Sequence, residues 1–226
     1  MTPVQKSLGL LIYDVGAFKD KTKSPEGDGF LLKLHEKNPN APKSPYYIML
    51  RTSDNPKPGP LTPSVVEAIG RLLFEYAESL GLKYDCVAGI PNAGDPIAEA
   101  FFFAIPPERK VKLLKLGKVK EGGNRKIEGV IGGEYKPGDR VLLIDDLVTM
   151  ADTKKEAAEE VEKKGMKVAC ILVLIDREQG GAAEIAKAGY NLCSAFKVSE
   201  LLELYLASGR ISKDVYDEIE EYRANN

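Results

Sequence analysis

A parallel α/β sheet flanked by helices is the fold this sequence predicts, and three observations predict it. The run VACILVLID (168–176) is continuously apolar, as in strands buried on both faces of a parallel sheet. Strand-like and helix-like runs alternate along most of the chain. The segments between them collect Gly, Pro, Asn and Asp, which punctuate regular structure. At 226 residues the chain has room for one large α/β domain.

The elements follow in order. Residues 1–50 are mixed in pattern and carry a Pro/Asn/Lys-rich stretch, NPNAPKSP (38–45), so they are expected to form a small N-terminal hood. Residues 51–226 would then be the core, ending in helices, with hood and core forming one structural domain. A helix is predicted from Thr62, which can cap. Pro63 fits the first turn, and Val65, Ile69, Leu73, Tyr76 and Leu80 recur at helical spacing before Gly81. YDCVAGI (84–90) predicts a strand, PNAG a loop, DPIAEAFFFA a helix and VKLLKL (111–116) a strand. GKVKEGGNRK (117–126) is Gly-rich, basic and without apolar periodicity, which predicts a mobile loop. EGVIGGEY, the turn KPGD and RVLLIDD suggest a hairpin-like return into a central strand. Thr153 and Glu156 are spaced as a capping box, opening a helix that stops at Gly165. A short helix, the strand NLCSAFKV and two amphipathic helices complete the chain.

Composition narrows the function classes. Hydrophobic content of 43% and charged content of 29% are ordinary for a soluble domain. A net charge of −2 gives no overall field toward nucleic acid or anionic membranes. Cys86, Cys170 and Cys193 form no CxxC and sit among apolar residues, which suggests reduced thiols and a cytoplasmic setting. His35 is the single histidine, so a multi-histidine metal site is excluded and a Ser-His-Asp triad disfavoured; a plain loop role is expected for it. No apolar run approaches the roughly 20 residues of a membrane span. The first residues lack a basic lead and a small-residue cleavage site, so no signal peptide is expected.

The stretch VLLIDDLVTMADTK (141–154) concentrates the chemistry. Asp145 and Asp146 end a strand whose neighbours would be buried, and open α/β sheets bind ligands outside the carboxyl ends of their strands. Paired carboxylates there can accept hydrogen bonds from vicinal hydroxyls or sit near a metal. Loop amides and a helix N-terminus after them would form an anion site. A ribose phosphate fits that pattern; a solvated strand end followed by a turn is the plain alternative.

This motif resembles the signature of the type I phosphoribosyltransferases: apolar residues, two acids, two apolar residues, Thr, then a short small-residue loop. The wider chain is most similar to the orotate phosphoribosyltransferases, over about Gly29 to Tyr205. KSPYYI (43–48) after Lys33, GIPNAGDPIA (89–98), KLGKVKEGGN (115–124) and VLIDREQGG (173–181) resemble family segments and occur in the family's order.

The resemblance implies a reaction of phosphoribosyl diphosphate (PRPP) with orotate, with Mg²⁺ carried mainly by PRPP, in a homodimer with shared sites. It implies that Asp145 and Asp146 hold the ribose hydroxyls and stabilise an oxocarbenium-like transition state. Leu147, Val148, Thr149, Met150, Ala151, Asp152 and Thr153 would complete the phosphate side, and Asn92, Ala93 and Gly94 the diphosphate side. Lys118 would close over the diphosphate from the partner subunit, assisted by Lys115 and Lys120. Arg177 would pair with the orotate carboxylate, and Lys33, Tyr47, Ile48 and Thr149 would line the base pocket. Residue by residue, the plain readings remain solvated loop lysines, a surface Asp176–Arg177 pair and a half-buried strand at Tyr47 and Ile48.

Four positions depart from the family pattern. Ala151 replaces a usual Gly, Asp152 a usual Ser or Thr, Leu114 a frequent Arg, and Ala93 a Lys of many bacterial members. Alanine disfavours a positive φ, so an altered loop is expected. A carboxylate about 4 Å from a phosphate charge costs about 4 kcal/mol at an effective dielectric near 20, on the order of a thousandfold in affinity. These departures also raise an alternative: a relative with another base specificity, or a non-catalytic nucleotide-binding protein.

Overall fold

The computed structural model describes all residues except 33, 34, 36, 37, 122, 123 and 226, and omits the side chains of 120, 121, 124 and 125. The chain opens with helix α1 (Pro3–Asp14), where the sequence suggested only mixed structure. Its signal was present: Thr2 caps the helix, Gln5 returns the bond in a capping box, and Pro3 stands in the first turn. Strands β1 (Phe18–Asp20) and β2 (Tyr46–Ile48) then pair antiparallel as a separate ribbon.

The main unit runs α2 (Pro63–Ser79), β3 (Cys86–Gly89), α3 (Gly94–Ala104), β4 (Lys112–Glu121), β5 (Asn124–Gly132), β6 (Arg140–Val148), α4 (Asp152–Glu162), β7 (Lys167–Asp176), α5 (Gly181–Lys187), β8 (Leu192–Lys197), α6 (Val198–Ala207) and α7 (Lys213–Asn225). Its strands lie in the order β5-β4-β3-β6-β7-β8, all neighbours parallel except β4 and β5. Helices cover both faces, as the apolar runs require. Alternation along β6 divides the core: Leu142 and Ile144 join α1, α2, α3 and α6, whereas Val141 and Leu143 join α4 and Ile185 of α5. Phe18, Tyr46 and Ile48 of the ribbon belong to the first of these cores.

Three expectations need correction. The basic Gly-rich segment is an antiparallel ladder through the described residues, with Lys118 opposite Ile127 and Val119 opposite Lys126. Gly117 marks irregular pairing instead of a loop. The register shifts beside Gly117, where a Cβ would meet Ile131 at 2.7 Å. Secondly, β5 does not turn back on β6. It pairs β4 at the sheet edge, and the KPGD turn leads the chain across to the sheet centre. Thirdly, α4 begins one residue early, with Ala151 at the cap position and no side-chain cap, so the Thr153/Glu156 box does not form. The α2 start is where predicted, but the Thr62 hydroxyl meets Ser64 instead of capping an amide.

Candidate active site

The site is built around the carboxyl end of β6. Asp145 and Asp146 sit there side by side, and the two acids have different surroundings. Asp145 is 6% exposed, and both its oxygens are engaged: Oδ1 accepts the Asp146 amide at 2.9 Å, Oδ2 the Lys154 ammonium at 2.5 Å. Lys154 is equally buried. A buried cation and anion tolerate removal from water only when paired this closely. Asp146 is half-buried and accepts the Leu147 amide at 2.8 Å. Desolvation, then the Asp145 charge, holds its carboxyl well above the usual carboxylate range, with Lys154 opposing.

The following loop is compatible with an anion. Ala151 has φ −86° and ψ −11°, an ordinary right-handed conformation, and its methyl is buried in the α4-side core. Alanine therefore sits in this loop without a positive φ. Asp152 occupies the first helical position with its side chain 91% exposed and 3.7 Å from Lys155. It points outward, so the close carboxylate–phosphate approach feared from the sequence is not imposed. The Lys154 and Lys155 amides both turn back to the Ala151 carbonyl, while amides at the very start of a helix lack intrahelical partners. Thr149 and Thr153 are half-buried beside this turn, and Met150 is exposed.

The β3–α3 connection is pressed against the same strand end. A Cβ on Gly94 would stand 2.4 Å from the Ile144 carbonyl and 3.2 Å from Asp145 Oδ1, so only glycine fits. The Ile90 amide donates to Ile144 O at 2.8 Å, and Ala93 caps α3 in a right-handed conformation. Asn92 is exposed beside it. Lys118 Nζ donates to the Pro91 carbonyl of this loop at 2.7 Å. Lys115 is exposed on the same strand; Leu114 is a core residue, 2% exposed. Asp95, at the start of α3, is pushed up to about 6 by burial, with Lys115 and Lys118 pulling down and Glu99 and Asp145 pushing up.

Arg177 completes the arrangement from the end of β7. It is 6% exposed, its amide donates to Val148 O at 3.0 Å, and its guanidinium lies 4.9 Å from the Tyr46 ring centre. Its Nε and Nη2 find no hydrogen-bond partner among the described residues. The surface Asp176–Arg177 pair is thus replaced by a buried fork. The 177–181 turn is tight against the phosphate-side loop, since a Cβ on Gly181 would meet Thr149 O at 2.5 Å. Tyr47 stacks on Phe30 at 5.5 Å and is half-buried. Ile48 points the other way, into the core, so only its main chain is available to a ligand. Lys33 and the Lys120 side chain lie outside the described residues.

The sequence did not single out Lys154, Asp95 or Tyr46. Lys154 lies at the third position of an amphipathic helix, where a lysine ordinarily faces water. His35 is buried, its ring bonded to the backbone of Leu32 and Ala41. Cavities of about 350 Å³ open elsewhere, beside Cys193 and along α2. No helix among the described residues is long and apolar enough to cross a membrane.

An acid-ended central strand, an adjoining turn into a helix and a glycine-tight second loop meet at one end of the sheet, and the chain belongs to the phosphoribosyltransferase family: residues 61–192 match the phosphoribosyl transferase domain. Within that family it is similar to the orotate phosphoribosyltransferase of Pyrococcus furiosus, 35% identical over 71% of this chain and 82% of that one. It is also similar to uridine 5′-monophosphate synthase of Bos taurus, 30% identical over 100% of this chain and 42% of that one. The solved structure of Leishmania donovani UMP synthase superposes with a TM-score of 0.73 at 30% identity, over 98% of this chain and 42% of that one. The chain thus spans less than half the length of the two synthases.

Proposed function

We propose that the chain is an orotate phosphoribosyltransferase, moving the 5-phosphoribosyl group of PRPP to orotate to give orotidine 5′-monophosphate and pyrophosphate in pyrimidine biosynthesis. Names of its relatives support the reaction. The observation that carries the acceptor is Arg177. A buried guanidinium with two unpartnered nitrogens is costly unless a ligand completes it, and a carboxylate matches its planar fork. Orotate is a planar base bearing such a group, and Tyr46 already packs the other side of Arg177.

The reaction breaks the bond from the ribose C1′ to the diphosphate oxygen and forms one from C1′ to the orotate nitrogen. The β6 acids would hold the ribose hydroxyls and face the developing positive charge. The 149–153 turn would hold the 5′-phosphate. Lys118, which donates to the Pro91 carbonyl of its own chain, would turn from that contact to supply a cation to the departing diphosphate. Magnesium would arrive with the diphosphate and neutralise part of its charge. Among the described residues no three His, Cys, Asp or Glu gather into a cage, and Asp145 is paired with Lys154. A cytoplasmic homodimer, with Lys118 reaching a neighbouring subunit, belongs to the same proposal; the free cysteines support the compartment.

The test is direct. Incubated with orotate, PRPP and Mg²⁺, the folded protein should consume orotate, followed by its absorbance; no turnover at millimolar substrate refutes the assignment. Arg177→Lys should raise the orotate KM at least tenfold, the loss of one charge-assisted hydrogen bond of about 1.5–3 kcal/mol, with the PRPP KM little changed. A panel of other bases separates orotate from an altered specificity.

A further inference from the structure

We infer that Lys154 is a positioning residue of the ribose site: it locks Asp145 as a buried carboxylate and so makes Asp146 the acid that responds to pH and to ligand. The inference rests on the proposed function for its ribose half and on geometry for the rest. Both Asp145 oxygens are engaged, one accepting the Asp146 amide and the other the Lys154 ammonium at 2.5 Å. Both members of the pair are 6% exposed, so water screens their attraction little. Asp146 is the more accessible acid and shares a hydrogen bond with Asp145. Two carboxyl groups this close do not both ionise readily. With Lys154 on one side of Asp145 and Asp146 on the other, the charge stays on Asp145 and the proton on Asp146.

The charged groups that face this pair come from every packed element. Asp95 enters from α3, with Lys115 and Lys118 beyond it on β4. Lys154 enters from α4, and Asp176 with Arg177 stand at the end of the neighbouring β7. Of these, Lys154 is in direct contact with Asp145, so its removal acts first and most strongly on the pair. An ionised Asp146 accepts a sugar diol through stronger, charge-assisted bonds than a protonated one. Ribose binding should therefore strengthen as pH rises through the Asp146 titration, and Lys154 sets where that rise occurs.

The experiment compares the full chain with Lys154→Met and Lys154→Arg in two arms. In the first, ribose 5-phosphate binding is measured by calorimetry from pH 5.5 to 9; the ligand's own phosphate titration is common to all three proteins. The midpoint of the affinity rise should move up by about one pH unit in Lys154→Met, a tenfold loss between the two midpoints, and return in Lys154→Arg. A Met variant with the unaltered protein's pH dependence overturns the inference. In the second arm, urea unfolding is followed without ligand. Without its cation the buried Asp145 carboxylate is costly to keep charged, so Lys154→Met should lose more stability relative to the unaltered protein at neutral pH than at acid pH. A variant equally weakened at every pH has lost only packing, and that also overturns the inference. Failure of all three proteins to bind ribose 5-phosphate would refute the ribose half and the proposed function together, leaving the charge lock judged by the unfolding arm.

Discussion

The end of β6 and the β4–β5 ladder carry opposite charges in opposite settings. At the β6 end, Asp145 is buried with both oxygens bonded, Asp146 beside it is half-buried, and backbone crowds the pair: Gly94 has no room for a methyl. On the ladder the cations stand on an edge with irregular register, Lys115 exposed and Lys118 reaching a carbonyl on another element. Buried acids are held in place by the core around them. Edge cations keep the freedom to move toward a charge that exists only part of the time, as a leaving diphosphate does. Under the proposed function, the β6 acids would hold the sugar and the edge lysines would face its leaving group.

The strongest way to break the contrast is on the ladder. Lys118→Ala should lower kcat by about 10²–10³, the usual loss for one donor to developing charge, while the thermal midpoint hardly changes. An unaltered kcat would remove the lysine from the chemistry. Mixing this variant with Asp146→Asn should recover some activity if sites are shared between subunits, and none if Lys118 serves only its own chain.

The β6 end should fail differently. Gly94→Ala places a methyl 2.4 Å from the Ile144 carbonyl, so strand and helix must part. A stability loss of about 3 kcal/mol, at the upper end for overpacking, is expected in urea unfolding. A neutral result would mean that the loop is free to shift.

Asp95 lies between the two regions and feels both, and its effect should be smaller. Its carboxyl is pushed up to about 6, mainly by burial. A raised folded value favours the folded state at low pH, and that contribution is lost as pH climbs toward 6 and the group ionises. Asp95→Asn should flatten this fall in stability between pH 4 and 6.5, measured by the urea midpoint. An unchanged slope would place the titration elsewhere.

The smallest effect should be at Asp152. With its side chain 91% exposed, Asp152→Ala should change PRPP affinity by less than about threefold, since exposed charges interact weakly. A hundredfold gain would show that the acid turns inward when ligand binds.

Much of this was visible in the sequence, for physical reasons that differ by region. The apolar run of β7 and the helical spacing of Val65, Ile69 and Leu73 report burial directly, because each depends on a repeat within one element. The paired acids and their loop were legible because motif and strand end coincide. The ladder was not, since Gly117 and its lysines imitate a loop when the partner strand is unknown. Arg177 was assigned through resemblance, but its burial on Tyr46 depends on a ribbon more than a hundred residues earlier in the chain.

The sequence by itself determined the α/β class, the position of the acid-ended strand and the identity of the charged residues around it. These follow from local periodicity and from side-chain chemistry that no fold can alter. Only the tertiary structure decided how the charges are spent. It turned Asp152 to solvent, gave Ala151 an unstrained backbone and brought Lys154 to Asp145. Pairing of charges depends on distance and on the exclusion of water, and both arise only when helix α4 is laid against the end of β6.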